Sequence, residues 1–305
     1  MRVAARSFPG GRALIGISGY DYKPWRGGFY PSELPAREWL RYASRAFDTI
    51  EINGTFYSLK SPGVFVRWRE EAPQDGFVFA VKGGRFITHN LKLRNCETAL
   101  GNFYAQGVLA LGRATGPFLW QLPDSYRFDP DRIDQFLGIL PRNSTEGEAI
   151  AREHDHRLRR GVLVDAAEHV DYRHALEVRH ESYFCDELYD LVRAHGCALV
   201  VSDGAERWPM AMEMTADFAY VRLHGSSVLY TSRYGDQELD TWAARVTEWR
   251  RSGDVYVYFD NDAKVHAPHD ARRLIERVRG MSSGGVRAKR RQGIFRRRDP
   301  SLRSG

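Results

Sequence analysis

Cysteine is scarce in this chain, and its scarcity excludes two ways of holding a fold together. Among 305 residues there are three, Cys96, Cys185 and Cys197. They are odd in number and scattered, with no CxxC and no cysteine–histidine spacing. Neither a disulfide framework nor a structural zinc site is indicated, and reduced cysteines are expected. Long hydrophobic runs are also missing. None approaches the ~18 residues that a membrane span needs, so no membrane partner is expected. The first twenty residues have a basic start but no apolar segment before the first strand-like run. No signal peptide is read, and a cytoplasmic location is expected. There is no GxGxxG, P-loop or GxSxG, so no nucleotide cofactor or serine nucleophile is assigned. HxH, HExxH and DxD clusters are lacking as well. A divalent metal would need ligands drawn from separate strands. No internal repeat is visible.

The net charge of +6 is unevenly spread. Residues 281–305 hold eight Lys or Arg against one acid, Asp299, which leaves residues 1–280 slightly negative. The tail is rich in Gly, Ser and Arg and cannot bury enough apolar surface to fold alone. We expect a flexible N-terminus over 1–13, one folded unit over 14–280, and a basic disordered tail over 281–305. The tail reads as a solvated end, or as a nucleic-acid contact.

What is present is a recurrence of short apolar runs ending in polar residues: 14–19, 49–53, 77–83, 117–123, 175–180, 198–203, 218–225 and 255–262. They are rich in Val, Ile, Phe, Tyr and Leu, as buried strands are. Helical periodicity fills most gaps, over 35–47, 96–111, 131–140, 186–195, 240–251 and 267–278. Alternating strands and helices imply a parallel sheet. Eight such units in this length predict an α/β fold of one domain, a closed (β/α)8 TIM-type barrel. The polar stretch 142–173 reads as an insertion holding one helix plus loop.

In such barrels functional groups sit at the C-terminal strand ends. Residues i and i+2 of a strand share a face, so Glu51 with Asn53, Glu177 with Arg179, and Arg222 with His224 form three polar pairs inside apolar runs. Burying such groups is costly unless they are paired or reach solvent, so one network at the barrel mouth is expected. Lys82, Arg85, His89, Gln121, His180, Asp203, Asn261 and Asp262 stand at the other strand ends or just beyond. Lys82, Arg85, Arg179 and Arg222 suit a phosphate or carboxylate. Glu51, Glu177, His180, Asp203 and His224 are the catalytic candidates, as acids, bases or proton carriers. The carboxylates could instead hold the arginines in place. Tyr20 and Trp25 in the loop 20–31, and Tyr230 and Tyr234 in 226–235, would stack on a ring of the ligand, or pack down over the rim.

These motifs resemble a known family. Gly16–Tyr20 (GISGY) with Trp25 and Phe29-Tyr30-Pro31, then residues 51–57 (EINGTFY), 79–82 (FAVK), 87–89 (ITH), 121–123 (QLP), 177–180 (EVRH), 220–225 (YVRLHG) and 258–262 (YFDND) are similar to the YecE-like family, domain of unknown function 72. The resemblance spans about 14–278 in the same order. It implies a TIM-type barrel and supplies no reaction. Tyr20 stands where tryptophan is common in that family, and Asp260 where asparagine is common. The expected function is an enzyme acting on a small anionic or phosphorylated substrate by acid/base or hydrolytic chemistry. The alternatives are a nucleic-acid-binding or processing protein resembling endonuclease-IV-like barrels, gripping the strand by tail and aromatic loops, and a non-catalytic ligand-binding barrel.

Overall fold

The computed structural model describes residues 10–293, with side chains as far as Met281. The flexible stretch expected at the N-terminus and the end of the basic tail lie largely outside these residues. Nine parallel strands form one sheet: β1 (Ala13–Ser18), β2 (Thr49–Ile52), β3 (Val78–Lys82), β4 (Thr115–Gln121), β5 (His174–Glu177), β6 (Ala198–Leu199), β7 (Val201–Asp203), β8 (Phe218–Leu223) and β9 (Asp254–Phe259). Their order is β6-β5-β4-β3-β2-β1-β9-β8-β7. The terminal strands β6 and β7 are two halves of one run, interrupted at Val200. The lower half pairs with β5 and the upper half with β8. The ring therefore closes through the chain at Val200, and the eight sequence runs become nine strands in a nearly closed barrel.

The helices are α1 (Trp39–Ala46), α2 (Gly54–Tyr57), α3 (Pro62–Glu71), α4 (Glu97–Ala105), α5 (Pro130–Gly138), α6 (Ser144–Ala151), α7 (Asp186–Ala194), α8 (Asp236–Trp249) and α9 (His266–Gly293). Several boundaries follow from local chemistry. Helix α5 begins with Pro130 behind Asp129, whose side chain accepts from the Arg132 amide, a proline-first, acid-capped start. The helix predicted over 96–111 stops at Ala105, because Gly107 takes φ +124° and the chain continues as a 3-10 turn over Val108–Ala114. The periodicity missed α3. No helix lies between β7 and β8; an irregular loop over 204–217 replaces it. The stretch 142–173 holds α6 and a long loop, fixed to the barrel flank by Glu168, which pairs with Arg69 and Arg113. The backbone of α9 runs on to Gly293, past residue 280 where the sequence reading ended the fold. Among the described residues no helix is long and apolar enough to cross a membrane.

Alternation along the strands divides two cores. Outward residues such as Ile17, Ile50, Phe79 and Trp120 join the large cluster beneath the helices. Leu14, Val78, Ala80, Tyr220, Tyr256 and Tyr258 form a second cluster inside the ring. Thr49 on β2 and Tyr258 on β9 meet there at 2.9 Å although β1 separates their strands. These side chains fill the lower barrel. Continuing the same alternation one step toward the C-terminal ends places Ser18, Glu51, Lys82, Gln121, Glu177, Ser202, Arg222 and Asp260 in the next layer up.

Candidate functional site

Arg222 is the hub of that layer. It is 1% exposed and touches three carboxylates. Its Nε and one terminal nitrogen donate to Glu51 at 3.0 and 2.8 Å. Its other terminal nitrogen donates to Glu177 at 2.8 Å, and a further contact reaches Asp260 at 3.0 Å. The planar five-donor fork of arginine allows this, where a lysine could not span the set. The remaining lone pairs are filled too. Glu51 accepts from Ser18 Oγ at 2.5 Å and from the Tyr220 hydroxyl at 2.6 Å. Glu177 accepts two bonds from Arg179, at 2.9 and 2.7 Å, and one from Ser202 Oγ at 3.2 Å. Both glutamates are fully buried. Asn53 joins by donating to Ser18 Oγ at 2.8 Å. The three i, i+2 pairs therefore meet in one network.

Charge sets the protonation of its members. Burial by itself would raise the Glu177 carboxyl, but Arg179, Arg222 and His224 outweigh it and hold the group well below the usual carboxylate range. Asp260 is held low against burial in the same way, by Arg222, His224 and Lys82. The sign for stability follows. A depressed carboxyl contributes stability above its unfolded value and loses it as pH falls. Glu177→Gln should cost about 2–3 kcal/mol at pH 7, because two arginines lose their charged acceptor. The difference from wild type should shrink once pH falls below the ordinary 4.5 of a glutamate. Urea unfolding at pH 7 and pH 3 checks this, and a cost that stayed equal at both would contradict it.

Lys82 differs from the arginines. It is 9% exposed, and its ammonium makes no ion pair or hydrogen bond with the described residues. Both neighbouring glutamates are already committed. Its Nζ lies 4.5 Å from the centre of the Phe56 ring. Burial, with Arg222 adding repulsion, pulls its amine down to about 8, against Glu177, Glu51 and Asp260. Beyond β3, residues 86–90 make one wide turn that presents His89. Its ring packs on Phe56, and its Nδ1 meets Thr88 Oγ1 at 2.9 Å. Burial and the charges of Lys82, Arg85 and Arg179 push His89 down to about 4, so it is neutral at pH 7. Arg85 is exposed and has no ion pair among the described residues.

The rim over Arg222 is built from β7 and β8 loops. Arg179 lies 4.1 Å from the centre of the Trp208 ring. Trp208 can fold back there because residue 204 is glycine: a Cβ would stand 2.3 Å from its ring. The Trp208 and Tyr230 rings both stand edge-on to His224 at about 5.5 Å. His224 is fully buried. Its Nδ1 lies 2.9 Å from Asp260, whose carboxyl it helps to hold low. Asn53 Oδ1 is enclosed and has no hydrogen-bond partner among the described residues. Buried polar atoms without partners are rare and need an explanation. Gln121, at the end of β4, spends its amide on Leu122 O at 2.8 Å.

Other sequence candidates turn away from this centre. Asp203 and Asn261 have the outward parity of their strands; the inward residues beside them are Ser202 and Asp260. Asp203 accepts from Tyr234, and Asn261 donates to Ser232 O and Asp270, all at 2.9 Å. Together they anchor the loop 226–235, and Tyr234, 1% exposed, has no face for stacking. Asp262 accepts no part of the Arg222 network; its carbonyl receives the Trp25 indole at 3.1 Å. Trp25 is wholly buried against Tyr22, Phe29 and Tyr30, so its own ring packs down within the loop and is not offered to a ligand. His180 caps the short turn after β5 by accepting from the Ser182 amide at 3.1 Å. Tyr20 accepts from Trp68 at 2.8 Å and lines, with Asn53, a hollow of about 290 Å³ over β1 and β2. A hollow of about 660 Å³ beside Arg94, Arg132 and His195 lies on the barrel flank, away from the strand ends. Among the described residues no group of three or more His, Cys, Asp or Glu is arranged to hold a metal ion.

Fold and site together define a TIM-like barrel whose mouth carries a buried arginine–carboxylate network beside an unpaired lysine. Residues 14–292 match the family described as "Protein of unknown function DUF72", and the chain belongs to that family. It is similar to the protein YecE of Escherichia coli (strain K12), 25% identical over 252 residues, covering 79% of this chain and 85% of the relative. A solved DUF72 family protein of Thermotoga maritima superposes with a TM-score of 0.68 at 25% identity, over 87% of this chain and 98% of that one. A second, from Enterococcus faecalis, gives 0.67 at 14% identity, over 88% and 95%, and supports the fold.

Proposed function

We propose that the barrel mouth binds a small anionic or phosphorylated compound and acts on it by acid/base or hydrolytic chemistry. One observation carries the reading. Lys82, Arg85 and Arg179 act on His89 against a single acid, Asp124, and of the three only Arg179 has a carboxylate partner among the described residues. Cations therefore outnumber the free acids on this side of the mouth. Arg85 and Arg179 would take the anion, by charge-assisted bonds. Glu51 and Glu177 serve by holding Arg222 and Arg179 in place. Lys82 is the proton-transfer group best matched to neutral pH, since catalytic efficiency favours a group that titrates near the working pH.

Inorganic phosphate should raise the unfolding temperature, and added salt should weaken the effect. Arg85→Gln, an exposed position, should lower the phosphate affinity about tenfold, as loss of one charged hydrogen bond does. No response to phosphate, or an affinity unchanged in both Arg85→Gln and Arg179→Gln, would remove the anion site.

A further inference from the structure

We infer that Lys82 is a nucleophilic amine that captures the carbonyl carbon of a small anionic aldehyde or ketone as an imine. This rests on the anion-binding reading above and names the substrate class. Three observations point the same way. The first is placement. Lys82 ends β3 in the same inward layer as Glu51 and Glu177, and its backbone is pinned by Thr55 Oγ1, which donates to Lys82 O at 2.7 Å. The second is the lack of a counter-ion. Arg222 and Arg179 occupy the glutamates on either side, so no carboxylate pairs with the ammonium, and the Phe56 ring with the more distant charges of Glu177, Glu51 and Asp260 offsets its burial only in part. The side chain nevertheless keeps 9% of its surface open to solvent. The third is residue choice. Only six of the 45 basic side chains are lysine, and the buried cations beside it are arginines, which do not deprotonate in proteins.

Burial brings the amine to about 8, so at pH 7 its uncharged fraction exceeds that of an ordinary lysine by roughly three hundredfold. In the step, the Nζ lone pair forms a bond to the carbonyl carbon while the C=O π pair moves to oxygen. The C–O bond then breaks, and the two nitrogen protons leave with that oxygen as one water. No oxidant or reductant is needed. His89, neutral at pH 7, packs on the same Phe56 ring as the Lys82 ammonium and is the neighbouring base that would take up the proton. Arg85 and Arg179 hold the carboxylate or phosphate of the same molecule.

The test is reductive trapping of the full chain at pH 7 with glyoxylate and cyanoborohydride, followed by peptide mapping. One carboxymethyl group on Lys82 is expected, formed roughly three hundredfold faster than on exposed Lys264. Label spread evenly over the lysines, or none on Lys82, overturns the inference. Because it is read on wild-type protein, the result does not depend on a variant folding; Lys82→Arg should then give no adduct at this position. The uncharged glycolaldehyde separates the two readings. Adducts forming on Lys82 as fast with it as with glyoxylate uphold the imine and overturn the anion site. Protection of Lys82 by inorganic phosphate, with a slower reaction of glycolaldehyde, upholds both.

Discussion

Replacing Arg222 with methionine should leave the protein unfolded or insoluble. The guanidinium is the shared partner of Glu51, Glu177 and Asp260, and the first two are sealed from water. Removing one member of a buried pair costs about 3–5 kcal/mol, because an uncompensated charge stays behind. Here three carboxylates would be affected, and Arg179 and His224 could compensate only Glu177 and Asp260. The expected loss is at least about 5 kcal/mol, comparable with the whole stability of many domains. Arg222→Lys should fall between, since one ammonium keeps the charge but cannot span the three acceptors. Adding Glu51→Gln and Glu177→Gln to Arg222→Met should recover part of the loss by removing the stranded charges. Soluble yield and urea midpoints measure the series. A single Arg222→Met variant within about 1 kcal/mol of wild type would show that water reaches these carboxylates after all.

Replacing Lys82 with methionine should do the opposite and stabilise the protein. The sign is set by the direction of the amine's shift, from an ordinary 10.5 to about 8. Between those values the unfolded chain binds the proton and the folded chain does not, so stability rises with pH there. Below pH 8 the full cost of the buried charge is present. At 1.36 kcal/mol per pH unit that cost is about 3 kcal/mol, offset by about 1 kcal/mol from the contact with the Phe56 ring. Methionine keeps the length of the stem without the charge. The variant should therefore be about 2 kcal/mol more stable at pH 7, with the gap closing as pH approaches 10.5. A destabilised variant at pH 7, or a gap that did not vary with pH, would mean that the ammonium is solvated or paired.

Much of this site can be read from strand alternation alone. Glu51, Glu177 with Arg179, and Arg222 with His224 lie at i, i+2 spacings inside apolar runs, and period two in a parallel barrel leaves few places for such pairs except the upper interior. The same rule misleads where a strand's phase is misjudged by one residue. Asp203 and Asn261 carry suitable chemistry but face outward, where they anchor the loop around Tyr234. Ser202 and Asp260 beside them face in. Counting back from the apolar inward residues Val200 and Tyr258 would have found both. Trp25 illustrates a different limit. An aromatic loop has the same composition whether its rings stack on a ligand or on one another, and only packing decides. Ser18, Tyr220 and Trp208 carry no signal of their own, because serine and aromatic residues are ordinary in strands and loops.

The chain by itself determined the barrel, the identity of its inward polar layer on three strands and the separation of the basic charge into the C-terminal segment, since periodicity and composition are local properties. Tertiary structure decided what those charges do. Which carboxylate meets which arginine depends on groups such as Glu51 on β2 and Arg222 on β8, 171 residues apart along the chain and joined only when the ring closes. That closure commits the glutamates to arginine and leaves Lys82 without a partner. A side chain whose sequence neighbours are ordinary strand residues becomes the least compensated charge of the mouth, because burial and pairing are properties of the closed barrel.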